Sequence, residues 1–367
     1  MKKVRVGLVG AKFISSIHYE ALRTVPAVEI LAVASRSMDS ARAFAGPRGI
    51  PHAFGEVKQL LEMPEIDVVV LGCPNDLHCS ITVQAASAGK HVICEKPLAM
   101  NLAEADQMIA ACQSAGVKLM YAEELCFAPK YVRLKKLVDD GALGQVNLIK
   151  QSEKHDGPHA DWFWDVERSG GGVTLDMGCH GIEFARWLLR APNGQKPEIT
   201  SVYADMRTSV HPRRTRGDDN AILILNFDNG VTALIEESWS KLGGMDDRAE
   251  VYGSDGVAFA DLLRGNSIHT YSRAGYDYAV EKGGSTTGWS FTIYEEAWNY
   301  GFPQEMAHFV DCIRHDLEPL ETGEDGRVVL EAIFAAYASA GSGKRISLPF
   351  KTDAARPIDL WKPKTAP

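Results

Sequence analysis

The sequence predicts an α/β protein in which a doubly wound parallel sheet precedes an α+β domain with a large, mostly antiparallel open sheet. Apolar strands and amphipathic helices alternate over about the first 120 residues, a pattern typical of parallel sheets covered by helices. A glycine turn joins the first strand to the first helix, and later strands follow one another through short turns. We predict two domains, at residues 1–122 and 123–367, with the C-terminal helices packing back toward the first.

Composition excludes several classes of protein. The chain has 367 residues, of which 45% are hydrophobic and 24% charged, as in ordinary globular proteins. A net charge of −9 argues against a nucleic-acid partner, and no apolar run reaches the roughly 20 residues of a membrane span. Seven cysteines without a C-x-x-C motif predict neither a zinc ribbon nor a disulfide framework. With no signal-peptide core at the N-terminus, we expect a cytoplasmic protein.

The first predicted unit is a strand over Val4–Val9, a turn at Gly10 and a helix with apolar residues at Ile14, Ile17, Ala21 and Leu22. This order opens dinucleotide-binding units, in which the helix N-terminus faces a pyrophosphate. Gly10 supplies the turn, whereas Lys12 and Ser15 occupy the positions of the usual second and third glycines. Lys12 either adds positive charge near phosphate or is simply a solvated lysine.

The second predicted strand, Glu29–Ala34, ends where an acidic residue usually binds the ribose 2′-hydroxyl. Here Ser35 and Arg36 follow the strand instead. A hydroxyl and a guanidinium suit a 2′-phosphate, so the sequence favours NADP over NAD. The alternative interpretation is a capping turn before a helix that begins near Met38.

Two further strands end in candidate functional residues. After Val68–Leu71, Asn75 or Asp76 can cap the next helix, which is compatible with cofactor contact. The strand Val92–Cys94 runs into Glu95-Lys96-Pro97, at the strand end where open α/β sheets bind ligands. Lys96 can bind an anion, polarise a carbonyl or transfer a proton there; the alternative is a solvated lysine.

The remaining predicted elements complete both domains. A hairpin signal, Asp228-Asn229-Gly230, separates two of the later strands. The predicted helices cover Leu102–Ala115, Ala128–Asp140, Pro303–Arg314 and Asp325–Ala340. The predicted strands cover Lys118–Tyr121, Gln145–Ser152, Ile199–Met206, Ala221–Phe227, Val231–Trp239 and Arg248–Tyr252.

A glycine run, Gly170-Gly171-Gly172, precedes an acid and a histidine. Asp176 and His180 are four residues apart, so we expect them to share one face of a helix. The acid can orient the imidazole and stabilise its cation, and a histidine near neutral pH can remove a hydroxyl proton. A purely structural pair is the alternative.

Aromatic and polar residues alternate upstream of this run, at His155, His159, Trp162, Trp164 and Asp165. Aromatic rings cover the C–H faces of sugars while carboxylates and imidazoles bind hydroxyls, so these residues are candidates for substrate binding. A structural aromatic cluster is the alternative. We predict no metal site, because Gly157-Pro158 interrupts any helix that would bring the two histidines to one face.

Together these motifs resemble those of the Gfo/Idh/MocA oxidoreductases, over nearly the whole chain. The resemblance rests on Gly7-Leu8-Val9-Gly10, Pro74-Asn75-Asp76-Leu77-His78, Glu95-Lys96-Pro97, Gly171-Gly172…Asp176…His180 and Gly323-Glu324-Asp325-Gly326-Arg327. It implies a Rossmann domain whose cofactor contacts come from Gly10, Lys12, Phe13, Ile14, Ser35, Arg36, Pro74, Asn75, His78, Glu95 and Lys96. The chain departs from the family pattern at Lys12, Ser15 and Ser35-Arg36.

The resemblance also implies a reaction. Lys96, Asp176 and His180 would meet at the nicotinamide, with Glu123 and the aromatic segment on the substrate side. His180, oriented by Asp176, would remove the proton of a secondary hydroxyl, while Lys96 would hold the reacting oxygen and assist the proton transfer. The nicotinamide would accept the hydride.

The implied function is an NAD(P)-dependent dehydrogenase of a sugar, glycoside or polyol, assembled as a homodimer or homotetramer through the second-domain sheet. We expect neither a nucleic-acid nor a membrane partner. Two alternatives share the fold: a glycosidase-type enzyme that recycles a tightly bound NAD, and a catalytically silent ligand sensor. The intact Lys96, Asp176 and His180 favour the dehydrogenase.

Overall fold

The computed structural model describes residues 3–263, 267–272, 287–293 and 296–362. The chain divides into two compact units. The first comprises Met1–Glu124 with Gly301–Leu330, and the second comprises Leu125–Tyr300 with Glu331–Pro367. The predicted fold class is confirmed, because the first unit holds a parallel sheet and the second a mixed, mostly antiparallel one.

The sheet of the first unit has the strand order β3-β2-β1-β4-β5-β6, and all of its pairs are parallel. Its strands are β1 (Val4–Val9), β2 (Val28–Ala34), β3 (His52–Phe54), β4 (Val68–Leu71), β5 (His91–Glu95) and β6 (Leu119–Ala122). The chain order reverses between β1 and β4, which creates the ligand crevice of doubly wound sheets at the carboxyl ends of these strands. All strands except β3 match the predicted strands to within one residue.

Helices cover this sheet because its strands are apolar on both faces; all four residues of β4 are buried. The helices of the first unit are α1 (Phe13–Leu22), α2 (Met38–Arg48), α3 (Val57–Leu61), α4 (His78–Ser87), α5 (Leu102–Ala115) and, from the later segment, α11 (Phe302–His315) and the first part of α12 (Gly323–Ser342). Helix α11 packs against α1. Ser37 caps α2 by accepting a hydrogen bond from the Ser40 amide at 3.3 Å, so the capping turn of the alternative interpretation is present.

Helix α4 begins differently from the prediction. Leu77 is its N-cap residue and makes no side-chain capping bond. Asn75 instead begins a 3-10 turn, Asn75–Leu77, so the prediction that Asn75 or Asp76 caps this helix is wrong. The other 3-10 turns are Glu124–Phe127, Asp161–Trp164 and Pro357–Leu360.

The large sheet of the second unit has the order β12-β11-β7-β10-β9-β8-β15. Its strands are β7 (Val146–Lys154), β8 (Ile199–Arg207), β9 (Asn220–Phe227), β10 (Thr232–Ser238), β11 (Asp246–Gly253), β12 (Val257–Asp261) and β15 (Ile346–Ser347). Only the β7–β10 pair is parallel within this described sheet. The predicted hairpin joins β9 to β10, and a separate pair, β13 (Ser267–Ser272) and β14 (Gly288–Ile293), is antiparallel.

The helices of the second unit lie in both of its chain segments. They are α6 (Pro129–Asp139), α7 (Val166–Ser169), α8 (Val173–Asp176), α9 (Gly178–Leu188), α10 (Glu296–Tyr300) and the second half of α12 (Gly323–Ser342). Helix α9 is buried along its whole length and packs on β7 and β10. Among the described residues, no helix is long and apolar enough to cross a bilayer.

Candidate active site

The loop after β1 brings the backbone of Gly10 against the loop after β4. Gly10 has φ +114°, and a Cβ atom there would overlap the carbonyl group of Gly72 and lie 2.8 Å from Ser15 Oγ. Ser15 is buried, and its hydroxyl has no hydrogen-bond partner within the described ranges. Its small side chain therefore takes the role of the third glycine, which lets α1 pack closely on both loops.

The first turn of α1 fits the phosphates of a dinucleotide. Lys12 is the N-cap residue and makes no side-chain capping bond, so the first amides of the helix are not used by a cap. Lys12 and Phe13 are exposed and Ile14 is half-buried at this turn. A pyrophosphate would meet helix amides and the positive charge of Lys12 there.

The residues predicted to bind the ribose lie in the turn after β2. Ser35 donates a hydrogen bond through its hydroxyl to Ser40 Oγ at 3.2 Å, and Arg36 is exposed. The turn thus presents a guanidinium and a hydroxyl, which suit a phosphate, at the strand end where an acid commonly binds the ribose.

Lys96 follows β5 and has a fixed backbone. Its amide donates to Glu95 Oε2 at 3.1 Å, and Glu95 Oε1 lies 2.8 Å from Nε2 of the fully buried His18. The Glu95 carboxylate therefore links α1 to the end of β5. Sequence reasoning missed His18, although a histidine on the buried stripe of α1 indicates a buried polar partner.

His78 joins the loops after β4 and β5. Its Nδ1 lies 3.0 Å from the Pro97 carbonyl oxygen and its Nε2 lies 3.0 Å from the Cys73 carbonyl oxygen. Burial lowers the pKa of His78, although the two carbonyls act in the opposite direction. Its ring thus contacts the backbone next to Lys96, between the segments of Pro74-Asn75 and Lys96-Pro97.

In the second unit, the glycine run is held by two residues that sequence reasoning missed. The Gly172 amide donates to Tyr337 Oη at 2.8 Å, and the Val173 amide donates to the Asp218 carbonyl at 2.8 Å. The Asp218 carboxylate also accepts from the Thr174 amide at 2.8 Å. Burial raises the pKa of Asp218, while hydrogen bonds from Thr174 and Tyr337 lower it. No local pattern marks Asp218, because its partners are distant in sequence.

Asp176 and His180 do not belong to one continuous helix. Helix α8 ends at Asp176 and α9 begins at Gly178, so the prediction of a shared helix face is wrong. Met177, with φ −115° and ψ −29°, separates the two helices. Both side chains are buried, at 7% and 2% exposure, and Asp176 Oδ2 accepts a hydrogen bond from Trp239 Nε1 at 3.1 Å.

The aromatic segment divides into packed and exposed residues. Trp164 is buried and meets Trp239 edge-on, with ring centroids 5.2 Å apart, as in a structural aromatic cluster. The Arg214 guanidinium lies 3.9 Å from the centroid of the Trp164 ring. Trp162 is half-buried and stacks on Phe163 at 3.8 Å.

The polar residues of this segment lie in different settings. Asp165 caps α7 by accepting from the Glu167 amide at 3.1 Å. His155 is buried and its Nδ1 accepts from the Gly157 amide at 3.0 Å, whereas His159 is exposed.

In the first unit, Glu123 follows β6 and is fully buried.

Three buried carboxylates cross the large sheet in one row. In the strand register, Glu237 of β10 is opposite Glu153 of β7, which is opposite Asp247 of β11. Neighbouring strands lie about 4.8 Å apart, so the three side chains are adjacent on the buried face. Both carboxylate oxygens of Glu237 lack a donor within the described part of the chain. A Cβ atom on Gly181 of α9 would lie 3.1 Å from Glu237 Oε1.

Two carboxyl groups of this row, Glu237 and Asp247, have raised pKa values. Burial, and then the charge of Asp247, raise the pKa of Glu237 well above its usual value. Burial likewise raises the pKa of Asp247 to about 7, although hydrogen bonds from Tyr131 and Gln151 oppose the increase. The folded protein therefore binds these protons more tightly than the unfolded chain does. Its free energy of unfolding falls as the pH rises from about 4, the unfolded value, through the folded values.

Glu237→Gln should raise stability at alkaline pH. The amide carries no charge and brings donors to a site where Gln151 Oε1 also lacks one among the described residues. We expect a gain of about 1–2 kcal/mol at about pH 8 and a smaller gain at about pH 5, measured by urea denaturation. Glu236→Gln is the matched control, because Glu236 is the next residue on the same strand but is partly exposed and pairs with Lys154 at 2.6 Å. A Glu237→Gln variant less stable than the wild type at about pH 8 would contradict the expectation.

Comparisons with known proteins agree with this architecture. Residues 4–123 match the oxidoreductase family with an NAD-binding Rossmann fold, and residues 131–259 match the GFO/IDH/MocA C-terminal domain. The structure is similar to that of GenD2 from gentamicin A biosynthesis in complex with NAD, with a TM-score of 0.88 and 29% identity, covering 95% of this chain and 97% of that one.

Two relatives illustrate the enzymes that this chain resembles. Myo-inositol 2-dehydrogenase of Thermotoga maritima is 28% identical, over 94% of this chain and 98% of the relative. Trans-1,2-dihydrobenzene-1,2-diol dehydrogenase of Xenopus laevis is 33% identical, over 68% of this chain and 73% of the relative. With both domains matched in order and the motif residues present, the chain belongs to the GFO/IDH/MocA family of oxidoreductases.

Proposed function

We propose that the protein is an NAD(P)-dependent dehydrogenase that oxidises a secondary alcohol of a polyol, sugar or glycoside. The main support is Asp176, which is buried, accepts a hydrogen bond from Trp239 and lies four residues before the buried His180. The chain also has Lys96 directly after β5. Related enzymes are named for inositols, for a dihydrobenzene diol and for D-apiose, all of which carry alcohol groups.

In this proposal each residue has a distinct role. His180 removes the hydroxyl proton, and Asp176 orients its imidazole and stabilises the cation that forms. Lys96 holds the reacting oxygen through its ammonium group and assists the proton transfer. Trp162, His159 and Glu123 contribute to the binding of the substrate hydroxyls and ring faces, together with His155, Trp164 and Asp165.

The dinucleotide would be held by the Gly10 turn, the first turn of α1, the turn after β2 and the segment around Pro74-Asn75. When bound, its nicotinamide ring accepts the hydride. We propose NADP as the preferred form, because Arg36 is exposed in the turn after β2 and Ser35 carries a hydroxyl beside it.

Ser35→Asp combined with Arg36→Ile should reverse the cofactor preference. The carboxylate can accept hydrogen bonds from the ribose hydroxyls and repels a 2′-phosphate, and the isoleucine removes the cation. We expect the ratio of kcat/KM for NADP to that for NAD to fall by on the order of 100-fold, the size of two charge-assisted contacts. An unchanged ratio would mean that the 2′ position is recognised by other residues.

The proposal includes a homo-oligomer in a reducing compartment. The open face of the large sheet carries exposed apolar side chains on β8, β9 and β12, at Tyr203, Ile222, Val257 and Phe259. Such a surface is typical of subunit contacts, which supports a homodimer or homotetramer. All seven cysteines are free thiols, which supports a cytoplasmic location.

The direct test is to incubate the purified protein with NAD or NADP and a panel of inositols, sugars and glycosides, and to follow the absorbance of the reduced nicotinamide. Reduction with one class of alcohol supports the proposal and identifies the substrate class. If no compound gives reduction, the protein is denatured and its supernatant is analysed for released nucleotide. Bound nucleotide with cleavage of a glycoside would favour the recycling glycosidase, and ligand binding without turnover would favour a sensor.

A further inference from the structure

We propose that Trp239 positions the carboxylate of Asp176, and through it the proposed acid–base pair, by a single hydrogen bond from its indole N–H. This inference rests on the proposed function. Trp239 is 63 residues from Asp176 in the sequence and lies outside the motifs that carry the family resemblance. Trp239 directly follows a strand of the large sheet, whereas Asp176 lies on α8 and His180 on α9.

The sheet determines where the indole points. Trp239 directly follows β10, and the alternation of strand residues places it on the same buried face as Ile235 and Glu237. Its amide donates to the Asp219 carbonyl at 2.9 Å, and its own carbonyl oxygen lies 3.0 Å from His211 Nε2. The main chain is thus held on both sides of the residue.

Side-chain packing fixes the ring as well. Trp239 has no exposed surface, and Trp164 meets it edge-on at 5.2 Å. Trp164 in turn packs edge-on against His211 at 4.9 Å, so the same histidine supports the ring of Trp164 and the main chain of Trp239. A fully packed indole has little freedom to rotate, which makes its N–H a fixed donor.

The acceptor belongs to a short helix. Asp176 is the last residue of the four-residue helix α8, and its amide donates to the Gly172 carbonyl at 3.1 Å. Helix α8 begins directly after the glycine run, and only Met177 separates its end from α9. The Trp239 indole therefore holds the Asp176 carboxylate from outside the two helices.

The chemical consequence is specific. A hydrogen bond from an N–H group favours the ionised carboxylate over the neutral acid and restricts its rotamer. An ionised, oriented Asp176 is the form needed to stabilise a histidine cation during proton removal. Loss of the indole N–H should therefore slow the chemical step and reduce the ionised fraction of Asp176 at low pH.

Trp239→Phe removes the donor and keeps an aromatic ring. We expect kcat to fall by about tenfold or more, the effect of one charge-assisted hydrogen bond, with KM changed less than kcat. The acidic limb of the kcat profile should move to higher pH. Trp187→Phe is the matched control, because it also shortens a buried tryptophan of the second unit, and it should leave kcat and the pH profile unchanged.

A double-variant cycle tests whether Trp239 acts through Asp176. If it does, Trp239→Phe causes no further loss of kcat in an Asp176→Ala background. Equal losses in both backgrounds would overturn the proposal and indicate a general packing role. So would a Trp239→Phe enzyme with the wild-type kcat and pH profile.

The hydrogen bond can also be observed without turnover. In protein labelled with ¹⁵N-tryptophan, the chain contributes seven indole resonances. The Trp239 resonance is assigned by elimination, from Trp→Phe variants of the other six tryptophans, so that the assignment does not require a folded Trp239→Phe variant. Asp176→Ala should shift this resonance and leave the Trp187 resonance in place; an unmoved Trp239 signal would overturn the proposal even if Trp239→Phe fails to fold. A wild-type protein that oxidises no alcohol would overturn the proposed function instead, while the same spectra still decide whether Trp239 holds Asp176.

Discussion

Lys96→Ala is expected to lower kcat by on the order of 1000-fold, because it removes the ammonium group that holds the reacting oxygen and assists proton transfer. The variant should still fold, because Lys96 is only half-buried. The hydrogen bond from its backbone amide to Glu95 Oε2 also does not involve the lysine side chain. We expect a melting temperature close to that of the wild type and a dissociation constant for the dinucleotide that rises by a much smaller factor than kcat falls. Steady-state kinetics, thermal unfolding and a cofactor titration measure these three quantities.

Lys118→Ala is the matched control for Lys96→Ala. Lys118 precedes β6 and therefore lies at the amino edge of the same parallel sheet, opposite the edge where Lys96 follows β5. Its ammonium pairs with the exposed Asp316 at 2.9 Å, and such pairs contribute at most about 1 kcal/mol. If Lys96→Ala kept its kcat within a factor of about three of the wild type, Lys96 would have no part in proton transfer.

Gly172→Ala is expected to destabilise the second unit by at least about 3 kcal/mol. A Cβ atom there would lie 2.7 Å from Asp218 Oδ1 and would overlap the backbone of the same residue. Asp218 cannot move aside without breaking its hydrogen bonds with the Val173 and Thr174 amides. The hydroxyl of Tyr337 also donates a hydrogen bond to Asp218. The substitution should therefore unfold the loop that leads into α8, which urea denaturation followed by tryptophan fluorescence would detect.

Gly178→Ala provides a control within the same motif. A Cβ atom at Gly178 would meet Thr174 Cγ2 at 3.4 Å, an ordinary van der Waals distance. Alanine also favours a helix over glycine by about 1 kcal/mol, and Gly178 is the first residue of α9. We expect this variant to be as stable as the wild type. Equal stability of the two alanine variants would show that Asp218 moves aside at little cost.

Much of the fold could be predicted from local sequence patterns. The continuous apolar runs of β1, β4 and β5 indicated buried strands, and their bounds agree with the structure to within one residue. The three-residue strand β3 was missed, because so short a segment has no periodicity to detect. The parallel pairing of β7 with β10 was also missed, since pairing between distant strands leaves no local signal.

The candidate site residues could be predicted from the sequence, but the residues that contact them could not. The motif spacing indicated Lys96, Asp176 and His180. The same spacing wrongly placed Asp176 and His180 on one helix, whereas Met177 separates two helices there. The bonds from His18 to Glu95 and from Tyr337 to Asp218 join residues 77 and 119 positions apart. Neither bond has a signature within one element.

The sequence by itself determined the alternation of strands and helices, the glycine turn at Gly10 and the set of motif residues, because each depends on neighbours a few positions away. Only the tertiary structure decided which groups support those residues. Trp239 reaches Asp176, and Glu237 aligns with Glu153 and Asp247, because sheet pairing and helix packing bring together segments that are far apart in the chain. The hydrogen bond of Trp239 and the raised pKa values of Glu237 and Asp247 depend on distance and burial in the folded protein, and local periodicity indicates neither.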